Sequence, residues 1–251
     1  MSYIAVYYTH KGLRNYQQDC IFINGNIIQT NYMEFTKFEV INSKTTLFAV
    51  CDGMGGLSHG EKASLFVCEK LKEKLLSIEF SKNWLINTLN YIQNSFLKTE
   101  IKNSGTTIAG ILLQERKSIV FNIGDSRVYK LSRKGIKYIS HDHSVVQELV
   151  DEGAITYEEA FHHPYKHIVT FGIGDVFFPE WKEGKKPYIV EDILKEDEYY
   201  LICTDGVSDV LKDEDIYKSL APSPFENVNN FIENIKKHMS DNFSFIIVSI
   251  K

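Results

Sequence analysis

TLFAVCDGMGG, residues 46–56, is an apolar run that stops at an aspartate and breaks into glycines. Branched and aromatic residues over 46–51 predict a strand, and Asp52-Gly53 predicts its end, because Asp and Gly favour turns. The same pattern returns in EYYLICTDG at 198–206, where a predicted strand ends in Asp205-Gly206. SIVFNI at 118–123 runs through Gly124 into Asp125. Asp19 stands immediately before CIFING at 20–25, and Asp241 stands just before FSFIIVSI at 243–250.

Taken singly, each aspartate is ordinary turn chemistry. Together, five at strand ends point to strands whose ends lie side by side, so that the carboxylates crowd. Crowded carboxylates repel and push one another's pKa up; a bound cation is the usual remedy. A set of oxygen ligands without cysteine or histidine favours hard ions, Mg²⁺ or Mn²⁺, over zinc. A carboxylate bridging two such ions places a water where it can attack phosphorus at neutral pH. The glycines of DGMGG let backbone approach a metal closely, which makes the Gly53 carbonyl a candidate ligand. No Gly-Lys-Ser/Thr follows, so the loop is not a nucleotide-binding P-loop. Arg14, in KGLRNYQQD, precedes Asp19 by a short loop and offers the planar fork that phosphate prefers.

Further strands are expected at 4–9, 38–42, 106–113 and 127–132, with a hairpin turn at Lys134-Gly135. Helical spacing covers 61–80, where Ala63, Val67 and Leu71 share a face, and 83–102, where Leu85, Leu89 and Ile92 do. Shorter helices are expected at 144–152, 156–162 and 225–238. The two long helices are consecutive and flanked by runs of strands, which argues for antiparallel sheets covered by helices rather than a doubly wound parallel sheet. The expected fold is therefore α+β: a central antiparallel β-sandwich flanked by α-helices.

The chain has 251 residues, 43% hydrophobic and 24% charged, with a net charge of −5. That suits one globular domain, residues 1–251, with a single sizeable core. No basic cluster marks a nucleic-acid surface, and no apolar run approaches the roughly 18 residues that cross a bilayer. The start, MSYIAVYYTHKG, lacks signal-peptide features, so the expected location is the cytoplasm. Cys20, Cys51, Cys68 and Cys203 form no CxxC and are expected to be structural thiols. His141, His143, His162, His163 and His167 lack the cysteine partners or helical spacing of a zinc site and are expected to be solvated.

Seven motifs now stand in order along the chain. They are GLRNYQQD at 12–19, AVCDGMGG at 49–56 followed by GEKAS at 60–64, GTT at 105–107, NIGDSRVY at 122–129, HDHS at 141–144, CTDGVSD at 203–209 and DNFSFIIV at 241–248. In these residues the chain resembles the metal-dependent Ser/Thr protein phosphatases of type 2C, particularly the compact bacterial form. The resemblance implies a four-layer αββα sandwich and two Mn²⁺ or Mg²⁺ ions, with a third, weaker one beside them. It implies that Asp52 bridges the two ions and Gly53 adds its carbonyl. Asp205 and Asp241 complete the second ion's shell, and Asp19 holds a metal-bound water. Asp125 binds the third ion, sharing Asp205, while Arg14 clamps the substrate phosphate. It further implies a mobile flap over about 141–178, phosphorylated proteins as partners, an opposing Ser/Thr kinase, and by default a monomer.

The chain departs from the family at Gln17, where Asn is usual, at Leu57, at Met54, where eukaryotic members carry a histidine, and at Phe171, where arginine is common. None removes an acidic ligand. A competing reading is a pseudophosphatase that binds phosphoproteins without turnover; the intact aspartates argue against it. A third is a hydrolase of small phosphate esters, which substrate profiling would separate.

Overall fold

The computed structural model describes residues 1–55 and 59–251. Gly56 and Leu57, the end of the glycine loop and one of the departures above, lie outside the described residues. The first strands are β1 (Ser2–His10), β2 (Asp19–Ile23), β3 (Asn26–Ile28), β4 (Lys37–Asn42) and β5 (Thr46–Met54). After helices α1 (Gly60–Lys74) and α2 (Lys82–Phe96) come β6 (Gly105–Thr106), β7 (Ile108–Gln114), β8 (Lys117–Ile123), β9 (Arg127–Ser132) and β10 (Gly135–Tyr138). Then follow α3 (Val145–Asp151), α4 (Tyr157–Phe161), β11 (Ile173–Gly174), α5 (Phe178–Lys182), β12 (Tyr188–Ile193) and β13 (Tyr199–Cys203). The chain closes with α6 (Asp205–Ser208), α7 (Asp213–Leu220), α8 (Pro224–Lys236) and β14 (Phe243–Ile250).

One sheet has the order β10-β9-β13-β14-β1-β4. The other runs β3-β2-β5-β7-β8-β12, with β6 and β11 continuing it beside the end of β5. The pairings that build the two sheets are antiparallel, as the run of consecutive strands predicts.

Strand β5 shows why the layers form. Its side chains alternate between faces. Phe48 and Val50 join the core between the sheets, whereas Leu47, Ala49 and Cys51 join a second core beneath α1 and α2. A strand covered on both faces needs the near-continuous apolar run that the sequence shows. Ala63, Val67 and Leu71 of α1 meet Leu85, Leu89 and Phe96 of α2 in that second core. On the far side α7 and α8 cover the other sheet, with the Phe231 and Phe245 rings 5.1 Å apart. The expected αββα sandwich is the observed architecture.

The long helices are shorter than their periodicity predicts. The α-helix at 61–80 gives way at Leu75 to a 3₁₀ turn, Leu75–Ser77. The second helix starts at a Ser81 cap, whose side chain accepts from the Trp84 amide, and stops at Phe96 rather than 102. Ile101 still packs on the same core, so its apolar spacing reported burial rather than helix. All four cysteines are free and buried, as expected. Among the described residues no helix is long and apolar enough to cross a membrane.

Candidate active site

Asp19 and Asp52 face each other directly across the β2–β5 pair, where opposed Cβ atoms lie about 4.5–5.5 Å apart. Asp19 is fully buried. Its Oδ2 accepts hydroxyl hydrogen bonds from Thr204 at 2.9 Å and Ser244 at 2.7 Å, both from the opposite sheet. Thr9 lies 2.7 Å from the Ser244 hydroxyl and accepts from Gln17 Nε2 at 2.6 Å. The Gln17 Oε1 in turn accepts from the Asp19 amide, closing a ring around that carboxylate. Gln17 therefore anchors Asp19 from both its amide ends, and the departure at 17 leaves Asp19 firmly placed.

Asp52 is held through its own backbone. Its amide donates to the Thr107 hydroxyl, and its carbonyl accepts from the Thr107 amide and the Thr106 hydroxyl. The GTT motif is thus the clamp on the strand end that carries Asp52. Beyond it, Gly53 crosses the start of α1 at Gly60. A Cβ on Gly53 would lie 2.0 Å from the Gly60 oxygen, and one on Gly60 would lie 2.6 Å from the Gly53 oxygen. The two glycines let the strand end and the helix start touch.

Asp205 opens α6, where a Cβ on Gly206 would lie 1.9 Å from the Asn242 carbonyl. That close approach sets Asp205 beside the start of β14 and hence beside Asp241. Asn242 ties the Arg14 loop to the same place. Its Oδ1 accepts from the Gln18 amide at 2.8 Å, and its Nδ2 donates to the carbonyls of Lys11 and Tyr16 at 2.8 and 2.9 Å. Asn242→Ala should therefore destabilise the chain by about 1–3 kcal/mol, since it leaves three part-buried hydrogen-bonding groups without their partner. A urea midpoint unchanged from wild type would show the loop is held by something else.

Electrostatic coupling shows that these carboxyls lie close together. Burial is the main cause raising the Asp52 carboxyl well above its usual range, and Asp205 and Asp19 push the same way. Asp125, next to the left-handed Gly124, is raised well above the usual range by burial, then by Asp205 and Asp142. Asp205 is raised to about 6 by burial and Asp209. Asp19 is raised to about 8, chiefly by burial, against the pull of its two hydroxyl donors. Arg14 donates to Asp241 Oδ2 at 2.5 Å, and Asp52 and Asp205 also favour its charge. All six side chains named from the sequence thus meet in one place, with Arg14 half exposed at the rim.

This donor set fits hard divalent cations. It is oxygen-only, its carboxylates repel one another, and Asp19 Oδ1 and Asp205 Oδ1 are buried with no hydrogen-bond partner among the described residues. Buried acceptors are rarely left so.

Some neighbours were not foreseen. Asp209 Oδ2 lies 2.7 Å from His167 Nδ1. Its signal was present in CTDGVSD, since residues four apart share a helix face. Arg127 donates through Nε and Nη2 to Asp142 Oδ2, while Tyr138 donates to Oδ1. These residues line a cavity of about 530 Å³ that reaches Asp125 and Asp205 and has Val146, Phe161 and Leu211 among its apolar walls. The histidines of 141–178 are not uniformly solvated. His143 packs on Phe171, with ring centroids 5.3 Å apart, and its Nδ1 accepts from the Gly124 amide. Phe171, buried between His143 and Trp181, is a core residue here.

Comparison with known proteins bears on the family and the fold. Residues 36–242 match the family model described as protein phosphatase 2C. A putative protein phosphatase 2C-type protein of Streptococcus pyogenes is 31% identical over 180 residues, covering 68% of this chain and 71% of that one. Serine/threonine phosphatase Stp1 from Staphylococcus aureus superposes with a TM-score of 0.79 at 31% identity, over 98% of this chain and 94% of that one. The catalytic domain of a PstP phosphatase solved with two manganese ions shares the fold, with a TM-score of 0.76 at 24% identity over 99% of each chain.

Proposed function

The chain belongs to the protein phosphatase 2C family of serine/threonine protein phosphatases, and from that premise we propose that its five aspartates hold two divalent ions, Mn²⁺ or Mg²⁺, on which hydrolysis of phosphoserine and phosphothreonine depends. The observation that carries this reading is the crowding of Asp19, Asp52, Asp125 and Asp205, each with its pKa raised, around two unpartnered carboxylate oxygens. Asp52 would bridge the pair, with the Gly53 carbonyl beside it, Asp205 and Asp241 on the second ion, and Asp19 holding a coordinated water. Asp125 would share Asp205 at a third, weaker position. Ions of this kind, when bound, supply Lewis acidity to phosphoryl oxygens and lower the pKa of water.

The chain's own residues set up the reaction around them. The ring from Gln17 to Ser244 fixes one oxygen of Asp19 and leaves the other to face the site. Arg14, paired with Asp241 and half exposed, is free to swing its fork to an incoming phosphate. Residues 1–251 act as one catalytic domain, with 141–178 as its flap, working as a monomer in the cytoplasm. Its partners are phosphorylated proteins, and it opposes a Ser/Thr kinase. The two manganese ions of the PstP structure support the count of two.

With saturating Mn²⁺ the purified chain should hydrolyse p-nitrophenyl phosphate and phosphothreonine peptides. A chelator should abolish both activities, and Mn²⁺ should restore them. Turnover that survives exhaustive chelation would sink the metal reading.

A further inference from the structure

We propose that Leu13, Tyr16, Tyr32 and Phe35 form an apolar surface beside Arg14 that receives a large aliphatic or aromatic side chain of the substrate, close in sequence to its phosphoserine or phosphothreonine. This rests on the phosphatase reading above and adds to it the class of phosphopeptide preferred. The four side chains are 73%, 65%, 61% and 72% exposed. Among the described residues only Leu76 presents a large apolar side chain more exposed than Leu13.

Single apolar residues on a surface need no cause. These four stand on two loops that are fixed to each other. The Asn31 carbonyl accepts from the Lys11 amide at 2.7 Å, and its Oδ1 accepts from the Gln17 amide at 3.2 Å. Tyr32 pairs with His10 at the end of β1. Met33, whose amide donates to the Thr9 carbonyl at 3.0 Å, is buried in the core. Gly12, at φ +58°, lets the first loop press on the Asp241 carbonyl, 1.9 Å from where a Cβ would stand. The backbone is thus anchored while the apolar side chains face solvent. Rigid aromatic side chains lose little entropy when they are covered, which suits them to recognition.

The position of Arg14 names the occupant. It stands between Leu13 and Tyr16 in the chain, with Tyr16 within about 7 Å along the backbone. Lys11 Nζ donates to the Arg14 carbonyl at 2.9 Å, so two cations stand among the apolar side chains. The complementary partner is an anion with apolar neighbours. A peptide whose phosphate is held at Arg14 must pass over these loops, and in extended form it advances about 3.3 Å per residue. Side chains about one to three positions from the phosphorylated residue therefore reach the surface.

The test compares two phosphothreonine peptides of equal charge as substrates of the full chain with Mn²⁺. One carries leucine and phenylalanine two positions to either side of the phosphothreonine, and the other carries serine at both. Wild type should favour the first in kcat/KM by at least about 10-fold, the scale of one apolar group accommodated. In Tyr16→Ser/Tyr32→Ser/Phe35→Ser, with folding checked by circular dichroism, the ratio should fall close to unity. Leu76→Ser should keep the wild-type ratio, because Leu76 follows the far end of α1, about 22 Å from the helix start at Gly60. A wild-type ratio near unity, with p-nitrophenyl phosphate still turned over, overturns the surface and leaves the phosphatase reading standing. Absence of turnover on either peptide and on p-nitrophenyl phosphate overturns that reading and the surface with it. A ratio unchanged in the triple variant overturns the surface. So does a ratio near unity joined to binding of phosphatidylcholine–phosphatidylglycerol vesicles, or to a dimer in sedimentation velocity, that the triple variant loses. The first result gives these side chains to a lipid surface, and the second gives them to another copy of this chain.

Discussion

Asp52→Asn should lower kcat with Mn²⁺ by at least about 10³-fold, the scale of a lost metal-ion contribution, and should also make the metal-free chain more stable. The two effects have one cause. Asp52 faces Asp19 in the neighbouring strand, and its charge is disfavoured by burial, Asp205 and Asp19. Without a cation that charge is a liability; with one it is the ligand between the ions. Amide for carboxylate removes repulsion worth about 1.4 kcal/mol for each pKa unit relieved. Activity on p-nitrophenyl phosphate and urea unfolding in chelator measure the two sides. A variant keeping more than about a tenth of the activity contradicts the ligand role. One that loses stability in chelator contradicts the crowding.

The second large effect is on pH. Asp205 is raised to about 6 and Asp19 to about 8, from an ordinary value of 3.8. A folded-state pKa above the unfolded one means that the folded chain holds the extra proton. The stability these groups contribute is complete below about pH 4 and is lost as pH climbs through 6 and 8, by up to about 1.4 kcal/mol per pH unit per group. Metal binding must expel those protons, so it tightens as pH rises. The increase in Tm on adding Mn²⁺ should therefore be small near pH 5 and large near pH 8. Comparing one chain with and without Mn²⁺ cancels titration elsewhere. A metal-induced shift equal at both values would show that these carboxyls do not bind the ion.

The sandwich was legible because its strands are buried on both faces and so are written as unbroken apolar runs, β5 and β14 most clearly. The edge strands β3 and β12, half exposed and mixed in character, left no such trace. The acidic centre was legible because aspartate at a strand end is a local signal repeated five times. What holds it was not. Thr204, Ser244, Thr9 and Gln17 are small polar residues whose role arises only when two sheets bring them to one carboxylate. The same is true of His167, whose partner Asp209 lies in a different segment. Helix ends misled because Ile101 packs apolar surface without helical hydrogen bonding.

Strand β14 lies between β13 and β1, in the middle of its sheet, and the residues at its head fasten the loop that leads to Asp19. A ribosome must therefore release residues 241–250 before β1, paired until then only with β4, can be joined to β13. Until then the growing polypeptide has no finished sheet, so a nascent chain halted before residue 241 would leave a phosphorylation mark in place.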